Sequence, residues 1–152
     1  MGIIMNIRRC FAISAMLLLA VSACAEEPLK RLMERYLWTK RVLLVFSPEP
    51  THPAFAQQNA ILAAAAVGLD ERDLVIWRLV HNESVSVDAQ RMAQLGTPAF
   101  YDYFQVKPDE FVVLLLGKDG TEKLRQTQPL AAEALFDRID SMPMRQQEMQ
   151  KR

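Results

Sequence analysis

The sequence predicts an α/β domain: a mixed, four-stranded central sheet flanked by helices, with one extra helix at each end. Three observations point there. Short runs rich in valine and leucine at 41–46, 74–80 and 111–116 alternate with segments of helical periodicity, the pattern of strands joined by helical connections. Lys118-Asp119-Gly120, a tight-turn signature, directly follows the most apolar of these runs. The chain has 152 residues, 51% of them hydrophobic, and a single domain of that size buries roughly two-thirds of its unfolded surface without needing disulfide staples.

In chain order, Leu29, Leu32, Met33, Tyr36 and Leu37 recur at helical spacing behind Pro28, which suits a first helical turn, so residues 28–37 read as an amphipathic helix. Arg41 to Phe46 reads as a strand covered on both faces, closed by Ser47-Pro48-Glu49-Pro50. Residues 54–67, alanine-rich and carrying Phe55, Ile61 and Leu62, read as a helix that Gly68 stops. Leu74 to Val80 is a second strand between polar clusters, and the link from about 88 to 105 reads as helical or irregular. Phe111 to Leu116 and Glu122 to Gln126 form a hairpin about the Asp-Gly turn. Leu130 to Ile139 is helical, and Pro143 opens a short tail helix in which Arg145 meets Glu148 or Met149 one turn on. Alternating strands and helices imply parallel pairing through right-handed crossovers, with the hairpin adding an antiparallel strand. This β-α-β-α-β-β-α order is that of the thioredoxin-like fold.

The N-terminus reads as an export signal. Arg8 and Arg9 precede an apolar run from Cys10 to Val21, followed by the small residues Ser22, Ala23 and Ala25. About a dozen residues at ~1.5 Å each fall short of a ~30 Å hydrocarbon core, so the run is not expected to remain as a membrane span. Two processing schemes share the same alanines. Val21-Ser22-Ala23-Cys24 is similar to a lipobox, which makes residues 1–23 the signal peptide and Cys24 a lipidated membrane tether. Ala23-Cys24-Ala25 also fits ordinary signal peptidase, which extends the peptide to residues 1–25 and leaves a soluble protein starting at Glu26. On either scheme the folded domain occupies residues 28–152 and the expected compartment is the periplasm.

Eighteen basic and eighteen acidic side chains balance, which argues against a nucleic-acid binder. Loss of Arg8 and Arg9 leaves the domain with an acidic excess of two. Cys10 and Cys24 are the only cysteines, so the processed domain holds no free thiol and no disulfide.

Several stretches resemble the bacterial domain of unknown function 4174. In the first half these are Trp38, Arg41-Val42-Leu43-Leu44-Val45-Phe46 and Gly68-Leu69-Asp70-Glu71-Arg72-Asp73-Leu74-Val75. In the second they are Gly117-Lys118-Asp119-Gly120 with Lys123 and Arg125, then Asp140, Met142-Pro143-Met144-Arg145, Glu148 and Met149. Together they cover nearly all of the mature chain. That family is similar to a domain of vertebrate sushi-repeat secreted proteins, for which a thioredoxin-like, peroxiredoxin-like fold has been proposed. The resemblance implies a fold and an exported location, and no established activity.

Thioredoxin-like enzymes place their reactive cysteine in the loop after the first core strand, here Phe46 to Pro53, which lacks sulfur. A serine hydroxyl cannot replace a thiolate in disulfide exchange or peroxide reduction. The proline that usually faces the cysteine pair corresponds to Val112. Ser47, Glu49, Thr51 and His52 can line a small polar pocket in this loop, or the loop is a proline-stiffened connection without a ligand. Lys118, Lys123 and Arg125 suggest an anion or acidic-partner surface, against which stands a charged hairpin that resists edge aggregation. His52 and His81 lack the ligand spacing of metal motifs, so no metal and no cofactor are expected. Met142, Met144 and Met149 allow a copper(I) reading or a packing one. The expectation is a non-catalytic binding module whose partner is an envelope protein or a small anionic ligand. The alternatives are a peroxiredoxin-like or other oxidoreductase-derived enzyme and a methionine-based metal-handling protein.

Overall fold

A computed structural model describes residues 29–151. The signal peptide, on either boundary, and Cys24 lie outside the described residues. Helix α1 spans residues 29–36 and leads into strand β1, Arg41–Ser47. Helices α2 (Pro53–Ala64) and α3 (Ala66–Asp70) follow, then β2 (Leu74–Val80). A hairpin of β3 (Ser84–Val87) and β4 (Gln90–Gly96) precedes helix α4, Pro98–Tyr103. Strands β5 (Val112–Leu116) and β6 (Glu122–Gln126) form the second hairpin, and α5 (Ala132–Asp140) and α6 (Pro143–Gln150) complete the chain.

The sheet has six strands in the order β4-β3-β2-β1-β5-β6. The four expected strands, β2-β1-β5-β6, form a contiguous mixed sheet with the thioredoxin-like arrangement, and β3 and β4 extend the expected four strands to six beyond β2. The period-2 alternation of the strands divides the core in two. Val42, Leu44, Phe46, Trp77 and Leu114 face α1 and α4, whereas Leu43, Val45, Ile76, Val113 and Leu115 face α2, α3 and α5. Both faces are covered, which is why β1 and β5 read as continuous apolar runs.

Three expectations are corrected. The link at 88–105 is neither helical nor irregular at its start, because residues 84–96 form the β3–β4 hairpin. Its two-residue loop, Asp88-Ala89, has φ of 44° and 67°, the backbone of a type I′ turn that glycine usually supplies. Asp88 holds the loop in place by pairing with Ile76: its backbone N–H donates to Ile76 O at 2.9 Å, and its Oδ1 accepts from Ile76 N at 2.9 Å. Second, only β1 and β2 pair in parallel, and β5 runs antiparallel to β1. The β3–β4 hairpin returns the chain to the carboxyl ends of β1 and β2. There α4 and the turns after it, with Val106 N donating to Tyr101 O and Glu110 N to Lys107 O, fold back instead of crossing the sheet. A parallel β5 would need a crossover the length of the sheet. Third, Gly68 does not stop a helix. The break falls at Ala65, and Gly68 lies inside α3, where an added Cβ would come within 2.6 Å of the Phe136 ring. Glycine is there to let α3 and α5 approach.

Candidate functional site

The two ends of the sheet are chemically different. At the carboxyl ends of β1 and β2, where thioredoxin-like enzymes do their chemistry, the Ser47 side chain is fully buried and its hydroxyl donates to Glu49 O at 2.7 Å. Glu49 and Thr51 are exposed, and His52 stacks on Phe111 with ring centroids 5.8 Å apart. The buried serine therefore does not open toward the same space as the exposed carboxylate. Tyr101, which sequence reasoning missed, closes this end: its hydroxyl lies 2.7 Å from Ser47 O and 2.8 Å from Leu79 O, tying β1 to β2. Burial pushes the Tyr101 phenol up to about 12, with the hydrogen bond to the Ser47 backbone opposing it, so it stays protonated at neutral pH. His81 meets the Tyr101 ring edge-on at 5.3 Å. Val112 opens β5 opposite Phe46.

At the opposite end, Lys118, Asp140, Arg145 and Glu148 from the second half of the chain converge. Arg41, the first residue of β1, is 1% exposed. Its guanidinium grips Glu148 of α6 with both terminal nitrogens at 3.2–3.3 Å and donates to Arg72 O at 2.8 Å. Lys118, 9% exposed, sits between Asp73 Oδ2 at 2.9 Å and Glu148 Oε1 at 2.7 Å. Asp140 at the end of α5 accepts from Arg72 at 2.6 Å and from Arg145 at 3.1 Å, and Arg145 also caps Glu71 O at 3.0 Å. The i,i+3 contact expected in the tail is present, Arg145 to Glu148 at 3.5 Å. Charge-assisted bonds of this kind fasten α6 across the start of the sheet.

The electrostatics follow from this packing. Burial pushes the Glu148 carboxyl up, but Lys118 and Arg41 more than offset it and hold the group below the ordinary carboxylate range. Asp73, under Lys118 and Lys40, and Asp140, under Arg72 and Arg145, are likewise lowered against a burial effect of opposite sign. All three stay ionised at neutral pH, so none is a general acid there.

Beside this network lies a cleft of about 420 Å³, with Arg41, Lys118, Lys123 and Arg138 in its walls and Met142, Pro143 and Met144 as its apolar side. At Gly117 an added Cβ would stand 2.5 Å from Lys123 Cε and 2.6 Å from Asp119 Oδ1, so both side chains would have to shift. Lys123 Nζ pairs with Asp119 at 2.8 Å, which lowers the Asp119 carboxyl against its burial. Arg125 belongs to a different set of contacts. It forms an ion pair with Glu122 at 2.8 Å and donates to Phe104 O at 3.0 Å, so the three cations of the hairpin are held by separate partners. Met142 is a core residue, and Met149 is exposed. Arg138 was not legible as a site residue, because its place in the cleft depends on α5 packing beside β6. Arg41 carried one signal, a charge heading an otherwise apolar strand.

A family model described as a domain of unknown function (DUF4174) matches residues 32–148. Among curated proteins, the coiled-coil domain-containing protein 80 of Danio rerio is 30% identical over 146 residues, covering 83% of this chain and 17% of that protein. The sushi repeat-containing protein SRPX2 of Rattus norvegicus is 27% identical over 124 residues, covering 80% of this chain and 27% of that protein. The chain thus spans only 17–27% of the length of these relatives. Among solved structures, a Plasmodium vivax 2-Cys peroxiredoxin aligns with a TM-score of 0.52 at 13% identity, over 78% of this chain and 84% of its own. Thioredoxin peroxidase I of Plasmodium yoelii aligns with a TM-score of 0.50 at 13% identity, over 78% and 79%. At that identity the likeness concerns the fold.

Proposed function

This chain belongs to the DUF4174 family, and from that premise we propose that it is an exported, non-catalytic binding module of the cell envelope, built on a thioredoxin-like fold. One observation carries the reading. The family-resemblance residues Lys118, Asp140, Arg145 and Glu148 converge beside a cleft at the end of the sheet opposite the loop where a reactive cysteine would sit. In that loop there is no sulfur, and the Ser47 hydroxyl at the strand end is buried and already bonded. Disulfide exchange and peroxide reduction both run through a thiolate. A binding role asks only for a cleft with convergent polar groups and an apolar wall.

Export rests on the N-terminal pattern, and tethering on Cys24. Intact mass of the protein recovered from its host separates the schemes: a diacylated Cys24 terminus marks the tethered form, and an unmodified Glu26 terminus the soluble periplasmic one.

The alternative enzyme reading draws on the peroxiredoxin likeness, and it is tested directly. The purified protein is incubated with hydrogen peroxide or an organic hydroperoxide and a dithiol. No consumption above the buffer rate is expected. Turnover that His52→Ala removes would replace the binding reading with a catalytic one. A methionine-based metal role would require silver or copper(I) binding that is lost in Met142→Leu and Met144→Leu variants.

A further inference from the structure

We infer that the cleft beside α6 binds a small organic oxyanion, a carboxylate or phosphate monoester carried on an apolar body. The inference rests on the binding-module reading and names the ligand class of that same site.

Charge supplies the first part of the argument. Arg138 directs Nε and Nη2 at Lys123 O, at 2.9 and 2.6 Å. A carbonyl has no formal charge, so among the described residues this guanidinium has no carboxylate partner and its Nη1 has no hydrogen-bond partner. A planar guanidinium with a free N–H edge is matched to the two oxygens of a carboxylate or the several oxygens of a phosphate. Arg41, also in the cleft wall, keeps a buried Nε–H without a partner. An unpaired buried donor is costly, which makes it a second, independent sign of an acceptor supplied from outside. Lys118 and Lys123 are already paired, the first with Asp73 and Glu148 and the second with Asp119, so Arg138 supplies the charge in the cleft that no carboxylate among the described residues meets.

Shape and apolarity supply the rest. A volume of about 420 Å³ falls within the ~300–1,000 Å³ typical of small-molecule sites and far exceeds what a bare inorganic anion fills. Met142, Pro143 and Met144 present a thioether and ring surface, and methionine adapts to irregular apolar ligands. A lining of cations together with an apolar strip selects a ligand with both characters.

The test is calorimetric titration and amide-shift mapping of the purified protein with octanoate and octyl phosphate. Acetate and inorganic phosphate serve as head-only probes, and 1-octanol as the tail-only probe. At least one octyl anion is expected to bind tenfold or more tightly than all three controls, with the largest shifts at Gly117, Lys118 and Ser141. Which of the two binds decides between carboxylate and phosphate. Arg138→Ala is expected to weaken that anion about tenfold, and Arg125→Ala, outside the cleft, to leave it unchanged. Arg138 is an exposed side chain, so its removal spares the fold.

Equal affinity for 1-octanol and the octyl anions, shifts confined to another surface, an unaffected Arg138→Ala variant, or no binding by any probe would each overturn the inference. In those cases absence of peroxide turnover leaves the binding-module reading standing. Peroxide turnover defeats that reading whatever the octyl anions do.

Discussion

Trp38 is the residue whose conformation and surroundings fit least well. Its φ is 64° and its side chain is 68% exposed, at the turn that ends α1. That backbone region costs a non-glycine residue ~1–2 kcal/mol, and here little burial offsets it. Allowing for the extra freedom glycine has when unfolded, Trp38→Gly is expected to stabilise the protein by about 0.5–1 kcal/mol, measured as a rise in the urea midpoint. A lower midpoint would mean the indole packs in a way the exposure does not reveal. Gln58 is the converse, a polar residue with no exposure at all. Its amide bonds both backbone groups of Leu130, Nε2 donating to the carbonyl at 3.1 Å and Oε1 accepting from the N–H at 2.6 Å. Gln58→Met strands two buried backbone groups and should cost about 2–4 kcal/mol in urea unfolding. The sequence analysis did not single out Gln58, because nothing local shows which loop will pack over it.

At the scale of elements, two pieces behave independently of their local sequence. The β3–β4 hairpin exists although Asp88-Ala89 is a poor signature for its turn, since register with β2 and the Asp88–Ile76 pair hold it. Ala89→Gly relieves a positive φ and is expected to raise the thermal midpoint, by an increment of about 1 kcal/mol in stability. Helix α6 is a polar segment whose attachment depends on charge, with Glu148 serving Arg41 and Lys118 together. Glu148→Ala leaves two nearly buried cations short of a carboxylate. The expected loss is about 3 kcal/mol, the low end for breaking a buried pair, because Glu148 itself keeps 25% of its side-chain surface in water. Reading Arg145 and Glu148 as a local helix pair caught one contact of this network. The longer-range partners, Arg41 and Lys118, lie on β1 and in the turn after β5, more than 25 residues away in the chain.

For the whole molecule, the carboxylates Asp73, Asp140 and Glu148 make acid the sensitive direction. Each is held below its ordinary value by neighbouring cations, so the unfolded chain binds their protons more readily than the folded one. Their contribution is complete above the ordinary values of 3.8 and 4.5 and is lost as the pH falls through the lower folded ones. Thermal midpoints recorded from pH 7 downward should stay level to about pH 5 and then decline. In Glu148→Gln the decline should be shallower, and an equally steep decline would assign the acid sensitivity to other groups.

Much of the architecture was legible because it rests on local signals. Apolar runs bounded by turn residues located β1, β2, β5 and β6, Pro143 opened the tail helix as read, and the Asp-Gly turn with Gly120 at φ 73° marked its hairpin. The absence of cysteine from the domain is likewise a property of the sequence alone. What only the tertiary structure decided was proximity. Strand direction across β5 depended on how α4 and its turns fold back, the burial of Ser47 on Tyr101, and the cleft on α5 and α6 crossing the start of the sheet. Hydrophobic periodicity says which face of an element is buried. It carries no information about which distant charge will lie opposite, because that is set by the packing of whole elements.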